Sequence, residues 1–265
     1  MKAHPMSRLT EVGPQLPAAD CSVGIIGLGA FGQFMAERIV DECEVLGYDA
    51  NPSIEVPGVE MVGLKEAATA DVAVLAVPLG TLGAVLQGIE PIVGKKTVVM
   101  DINSVKVEPE ELFATYLPQH PNVLLTHPLF GPKSAAEGTA GHKLIVTKRE
   151  GEQTGKVIEF CSQTLGLEIC YMDAEAHDKA MALQHVLTLF LARALADMGL
   201  DQVGSDILTP SFLELLDVAR LDKLHSQEVF DTVQLGNQFA PAARKRLLES
   251  LYNLDQVLRA QEARM

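Results

Sequence analysis

At 265 residues the chain is long enough for one large domain or two modest ones, and 48% hydrophobic with 21% charged residues is the balance of an ordinary folded protein. A formal net charge of −14 argues against nucleic acid and against anionic membrane surfaces as partners, since both need clustered Lys and Arg. A small anion could still bind wherever a few cations converge.

The stretch Met1–Asp20 has three prolines and no apolar core segment, so residues 1–20 are expected to be a loose tail, neither signal peptide nor membrane span. From Cys21 to about Tyr171 short β-rich runs alternate with helical stretches. Ser22–Ile26, Glu44–Asp49, Val72–Val77, Thr97–Ile102, Val123–Thr126 and Leu144–Thr147 read as strands. Most are continuous apolar runs, as in parallel strands covered on both faces. Helical patterns such as Phe31–Glu42 and Pro109–Leu117 lie between them. The alternation predicts an α/β fold, a doubly wound Rossmann-type parallel sheet, over residues 21–172.

At Asp173 the pattern changes. Asp173 suits a helix N-cap and Glu175 the positive end of the helix dipole. The segment Ala174–Met198 is apolar on nearly every side, which predicts burial all round and therefore a second subunit covering part of it. Further helices are expected at Ser211–Leu224, Ser226–Asn237 and Pro241–Arg259. Residues 173–265 thus read as an all-helical substrate and dimerisation domain of a homodimer. The four cysteines show no C-x-x-C pair and read as reduced thiols; Gln184, His185, Arg193 and Asp197 interrupt the most apolar helix. Both points suggest the cytoplasm.

Gly27-Leu28-Gly29-Ala30-Phe31-Gly32 forms G-x-G-x-x-G between the first strand and first helix. The first glycine would permit the tight turn, the second would let backbone approach a pyrophosphate, and the third would let helix pack on strand. Asp49 lies 22 residues beyond Gly27, near the ~20 expected of the acid that holds the adenosine ribose. A carboxylate there would repel a 2′-phosphate, which favours NAD over NADP. Val77-Pro78 fits a loop over the cofactor and equally an ordinary strand end.

Ser104 and His127 fall at the ends of consecutive predicted strands, where α/β sheets place ligands. Alcohol oxidation needs a base for the hydroxyl proton; histidine suits that role, and a serine hydroxyl can orient the imidazole or the substrate oxygen. The alternative for His127 is a satisfied histidine before a rigid turn. His177 and His185, eight apart on one helix, do not make the usual i, i+4 metal pair, and no metal is expected.

Asp101-Ile102-Asn103-Ser104-Val105-Lys106, His127-Pro128-Leu129-Phe130-Gly131-Pro132 and Ala176-His177-Asp178-Lys179-Ala180-Met181-Ala182 together resemble the signatures of prephenate and arogenate dehydrogenases. Leu129 stands where Met is common, a mild apolar change. The resemblance implies NAD-dependent oxidative decarboxylation of prephenate to 4-hydroxyphenylpyruvate in tyrosine biosynthesis, with arogenate, or both compounds, as alternative substrates. It implies that His127 deprotonates the ring hydroxyl, that Ser104 bonds to His127 or to that hydroxyl, and that His177-Asp178 organises the floor of the site. Val218-Ala219-Arg220-Leu221 is similar to the family segment whose arginine binds a substrate carboxylate; the plainer reading is an exposed Arg220 paired with Asp217 or Glu214. Lys106 and Lys133 lie beside the loop motifs and could add positive potential. Thr209-Pro210-Ser211-Phe212 resembles plant arogenate enzymes, whereas Asp49 fits the NAD preference of bacterial prephenate enzymes. More distant readings are a β-hydroxyacid dehydrogenase, which usually relies on a lysine base, and a non-catalytic NAD-binding protein.

Overall fold

The computed structural model describes residues 21–203 and 208–265, so the expected tail at 1–20 lies outside the described residues. Eight strands form one sheet in the order β3-β2-β1-β4-β5-β6-β7-β8: β1 (Ser22–Ile26), β2 (Glu44–Tyr48), β3 (Glu60–Met61), β4 (Val72–Leu75), β5 (Val98–Asp101), β6 (Val123–Pro128), β7 (Lys143–Arg149) and β8 (Glu168–Tyr171). The first six are mutually parallel in the 3-2-1-4-5-6 order of a doubly wound dinucleotide fold. Helices α1 (Ala30–Ile39), α2 (Leu64–Ala68), α3 (Leu79–Ile89), α4 (Val107–Tyr116) and α5 (Gln153–Gln163) cover it. One apolar core, on one face, includes Ile25, Phe34, Ile39, Val74 and Leu124; a second includes Ile26, Leu75, Leu82, Phe113 and Leu125.

One expectation changes. β7 runs antiparallel to β6, and β8 follows β7, so the sheet is not wholly parallel. A parallel return needs a long crossover, usually a helix. The connection through Gly131, Pro132, Gly138 and Gly141 makes only turns, and the chain folds straight back.

The strand ends also position charge. Lys106, fully buried in the loop after β5, pairs with the buried carboxylate of Asp101, and its ammonium also donates to the Thr126 carbonyl on β6. Thr126 Oγ1 in turn donates to the Asp101 carbonyl oxygen (2.8 Å). Lys106 is therefore an internal tie between β5 and β6 rather than a cation offered to a ligand, because both of its partners are protein groups sealed from solvent.

After the sheet come α6 (Ala174–Met181), a π-helical turn at Ala182–Val186, α7 (Leu187–Asp197), α8 (Pro210–Arg220), a 3₁₀ turn at Leu221–Leu224, α9 (Gln227–Asp231), a second π turn at Thr232–Gly236, and α10 (Ala240–Glu262). Asp173 caps α6, accepting from Ala176 N–H (2.7 Å), as its sequence position predicts. Thr209 and Ser226 do the same for α8 and α9, which sets where those helices begin. The two π turns are tied where Gln234 Nε2 donates to the Val186 carbonyl (2.8 Å). A small core of Ala182, Val186, Leu189, Val233, Ala240 and Ala243 holds these helices together.

The 174–198 segment is not enclosed by its own chain: Leu183 is 57% and Met198 73% exposed. On α10, Leu248, Leu251, Tyr252, Leu254, Val257 and Leu258 are exposed as well. No helix among the described residues is long and apolar enough to cross a membrane.

Replacing Lys106 by Met strands the Asp101 charge in the interior and is expected to cost ~3–5 kcal/mol, measured as a lower urea midpoint. Adding Asp101→Asn to Lys106→Met should recover part of that loss; a single variant as stable as the parent would show that the pair contributes nothing.

Candidate active site

The glycine loop leaves β1 at the point where strand order reverses between β1 and β4, which is where open α/β sheets bind ligands. Gly27 has φ +98°, a conformation that favours glycine. A Cβ on Gly32 would lie 2.1 Å from the Gly27 carbonyl oxygen, so only glycine lets α1 sit this close to the strand. Nothing lies within 4 Å of where a Cβ on Gly29 would point, and the first turn of α1, opened by exposed Ala30, has no side-chain cap. Unmet N–H groups at an uncapped helix start beside open space fit a pyrophosphate.

Leu28 N–H donates to Asp49 Oδ2 (2.7 Å) and Asn51 N–H to Oδ1 (2.8 Å), which fixes the carboxylate beside the loop. Val77 borders the turn closely: its Cγ1 is 2.9 Å from where a Gly27 Cβ would be. Pro78, exposed, opens α3. Phe31 reaches across to Phe130, with ring centroids 6.0 Å apart, and so joins the glycine loop to the turn after His127.

His127 lies on β6 opposite Ile145 of β7 and is only 5% exposed. Its Nδ1 is 2.9 Å from Nε2 of His177, and His177 Nδ1 is 2.7 Å from Asp178 Oδ1. His185 stacks on His127 (centroids 6.1 Å, planes 16° apart), and His225 meets His185 edge-on at 6.2 Å. The π turn that carries His185 interrupts the winding between α6 and α7, and His177 and His185 both meet the same imidazole across it. Burial, reinforced by His177, His185 and Lys106, holds His127 well below the usual histidine range. Burial first, then His225 and His177, lower His185 to about 4. The result is a neutral imidazole at the carboxyl end of a central strand, with a base's chemistry available.

Ser104 is half-buried in the same loop system as Lys106, but among the described residues it makes no hydrogen bond to His127, whose Nδ1 is engaged by His177. Arg220 is exposed at the end of α8 and paired with Asp217 (3.2 Å), the plainer of the two arrangements its sequence suggests. Lys133 is exposed in the turn after β6. Sequence reasoning missed His225 and the contact of His185, since neither stands in a motif. It also missed a second guanidinium: Arg193 bonds to Asp222 Oδ1 (2.5 Å) and lies 4.2 Å over the Phe230 ring.

Residues 36–164 match the family described as the prephenate dehydrogenase nucleotide-binding domain. The chain is 31% identical over 160 residues to arogenate dehydrogenase 2, chloroplastic, of Arabidopsis thaliana, covering 58% of this chain and 44% of that protein. It is 27% identical over 251 residues to 4-amino-4-deoxyprephenate dehydrogenase of Streptomyces pristinaespiralis, covering 88% and 82%. The chain spans less than half the length of the plant relatives it matches. Among solved structures, prephenate dehydrogenase from A. aeolicus in complex with hydroxyphenyl propionate and NAD+ shares the fold, with a TM-score of 0.71 over 91% of this chain and 92% of that one at 19% identity.

Two buried neutral histidines make stability depend on pH. Above about 6.5 neither folded nor unfolded chain protonates them. Below that the unfolded chain takes up the protons, while the folded one leaves His185 neutral until about 4 and His127 neutral well below the usual range. Stability should therefore fall on acidification from pH 7 to 5, by about 1.4 kcal/mol per pH unit for each such group once titration is under way. Urea midpoints at the two pH values check this; equal midpoints would mean that the imidazoles are charged or exposed.

Proposed function

We propose that the chain is a dehydrogenase of the prephenate/arogenate family, the family its residues 36–164 match, and that it catalyses NAD-dependent oxidative decarboxylation of a cyclohexadienol, prephenate, to 4-hydroxyphenylpyruvate in tyrosine biosynthesis. The observation that carries this reading is His127: a buried imidazole, neutral through the neutral pH range, at the end of the strand three places from the glycine loop's strand. Gly27, Gly29, Gly32 and Asp49 would hold the dinucleotide, with Leu28, Ala30 and Phe31 supplying the backbone of the turn and Val77 and Pro78 bordering it. When bound, the nicotinamide supplies the acceptor for hydride.

His127 takes the ring hydroxyl proton, and the Ser104 hydroxyl, unbonded to His127, orients the same oxygen. Loss of carbon dioxide from the ring carboxylate makes the product aromatic, so the protein has chiefly to position the ring and meet its charge. With Lys106 committed to Asp101, Arg220 and Lys133 are the cations this reading assigns to the two carboxylates. Arg220 suits the task because its planar fork can grip a carboxylate through two bonds and can exchange an exposed Asp217 for one.

Arogenate is the second reading, supported by the names of the plant relatives. Homodimerisation through the helical region, residues 173–265, is also proposed: the exposed apolar side chains of α10, with Leu183 and Met198, are what a second copy would cover.

Purified protein with NAD should form NADH on addition of prephenate, and the rate with arogenate under the same conditions ranks the two substrates. His127→Asn should lower turnover ~100-fold or more with NAD affinity little changed; an unaltered rate removes His127 from the chemistry. Arg220→Ala should raise the Michaelis constant for the dicarboxylate and leave that for NAD alone. If neither constant moves, the carboxylate is held elsewhere.

A further inference from the structure

Asp178 carries more than a surface charge would need. It is fully buried, and its oxygens accept from three groups: Lys106 N–H at 2.9 Å and His177 Nδ1 at 2.7 Å on Oδ1, and Val107 N–H at 3.0 Å on Oδ2. An ionised carboxylate is an acceptor only, with no proton of its own to give. With one ring proton, His177 carries it on Nδ1 against that carboxylate, and its Nε2 is an acceptor. The atom facing that acceptor is Nδ1 of His127, at 2.9 Å. Two lone pairs cannot face each other at that distance, so His127 carries its proton on Nδ1 and its lone pair on Nε2.

We propose that Asp178 and His177 are positioning residues that lock His127 into the Nδ1–H tautomer and thereby reserve Nε2 as the base. Free histidine in water favours the opposite, Nε2–H form, which could not take a proton at that atom. The inference rests on reading His127 as the general base and adds how the protein prepares it. In the step itself the substrate O–H bond breaks, its proton bonds to Nε2, and the electron pair stays on the substrate oxygen. The imidazolium so formed keeps its Nδ1–H on His177, with the Asp178 carboxylate on the far side of that ring. Histidine–carboxylate pairs in hydrolase triads use the same tautomer control.

The test reads tautomers directly. In protein labelled with ¹⁵N-histidine, long-range ¹H–¹⁵N correlation at pH 7 distinguishes protonated from unprotonated ring nitrogens, and the His127→Asn variant identifies the His127 signals. His127 should appear as Nδ1–H in the parent protein. In His177→Phe, which has no acceptor, it should revert towards Nε2–H, and turnover should fall ~100-fold with little change in the Michaelis constants. His177→Gln restores an acceptor and should restore the Nδ1–H form with at least ~10-fold of the lost rate. An Nε2–H His127 in the parent, or an Nδ1–H His127 that survives His177→Phe, overturns the proposal; the parent spectrum decides even if the variant fails to fold. A base reading that is itself wrong shows up separately, as full NADH formation by His127→Asn whatever the tautomer.

Discussion

The Asp178 carboxylate is the joint on which the two halves of this chain meet. It sits on α6, the first helix after the sheet, yet two of its bonds run to the backbone of Lys106 and Val107 at the start of α4. There it does the work of an N-cap supplied from a distant element, an anion against the positive end of a helix dipole. Its own carbonyl accepts from Asn237 Nδ2 (2.8 Å), which draws in the chain before α10. The loop that carries Ser104, the strand that carries His127 and the helices that follow are thus set relative to one another by one buried anion. A polar group this deep is tolerated because each carboxylate oxygen has a donor.

Charge is arranged with similar economy. The chain is strongly acidic overall, and yet the interior near β5 and β6 holds a matched pair, Lys106 with Asp101, followed by neutral imidazoles. Burial pushes His127 and His185 toward the neutral form, and their neighbours in the run of contacts 177, 127, 185, 225 add to that cost of charging them. An imidazole in such company is a base that stays available through the neutral range. Arg220, paired with Asp217, and Lys133 stand at the exterior.

Much of this was legible from residues alone. The glycine loop, Asp49, the cap at Asp173 and the β–α alternation are local, and local rules decide them. What escaped was set by distance. β3 is two exposed residues long and β8 is only half-buried, so neither leaves a hydrophobic run to find. The reversal at β7 depends on what the preceding loop cannot build. Lys106 reads as a surface lysine until Asp101 and Thr126 are seen to enclose it, and His127 reads as a partner of Ser104 until His177 arrives from fifty residues away. Pairing across the fold, rather than composition, assigned those side chains.

The π turn at Ala182–Val186 has a further bearing on how the chain can vary. A π turn takes up about one residue more than an α turn in the same revolution, so the helices on either side of it keep their register. Deleting a single amino acid from that stretch would restore regular winding and leave Leu189 and Ala192 in their sockets. The side chains within the turn would be re-aimed, and His185 would swing from the face of its neighbour. The length between Met181 and Leu187 is thus a quantity that the imidazole needs and the packing of α7 does not.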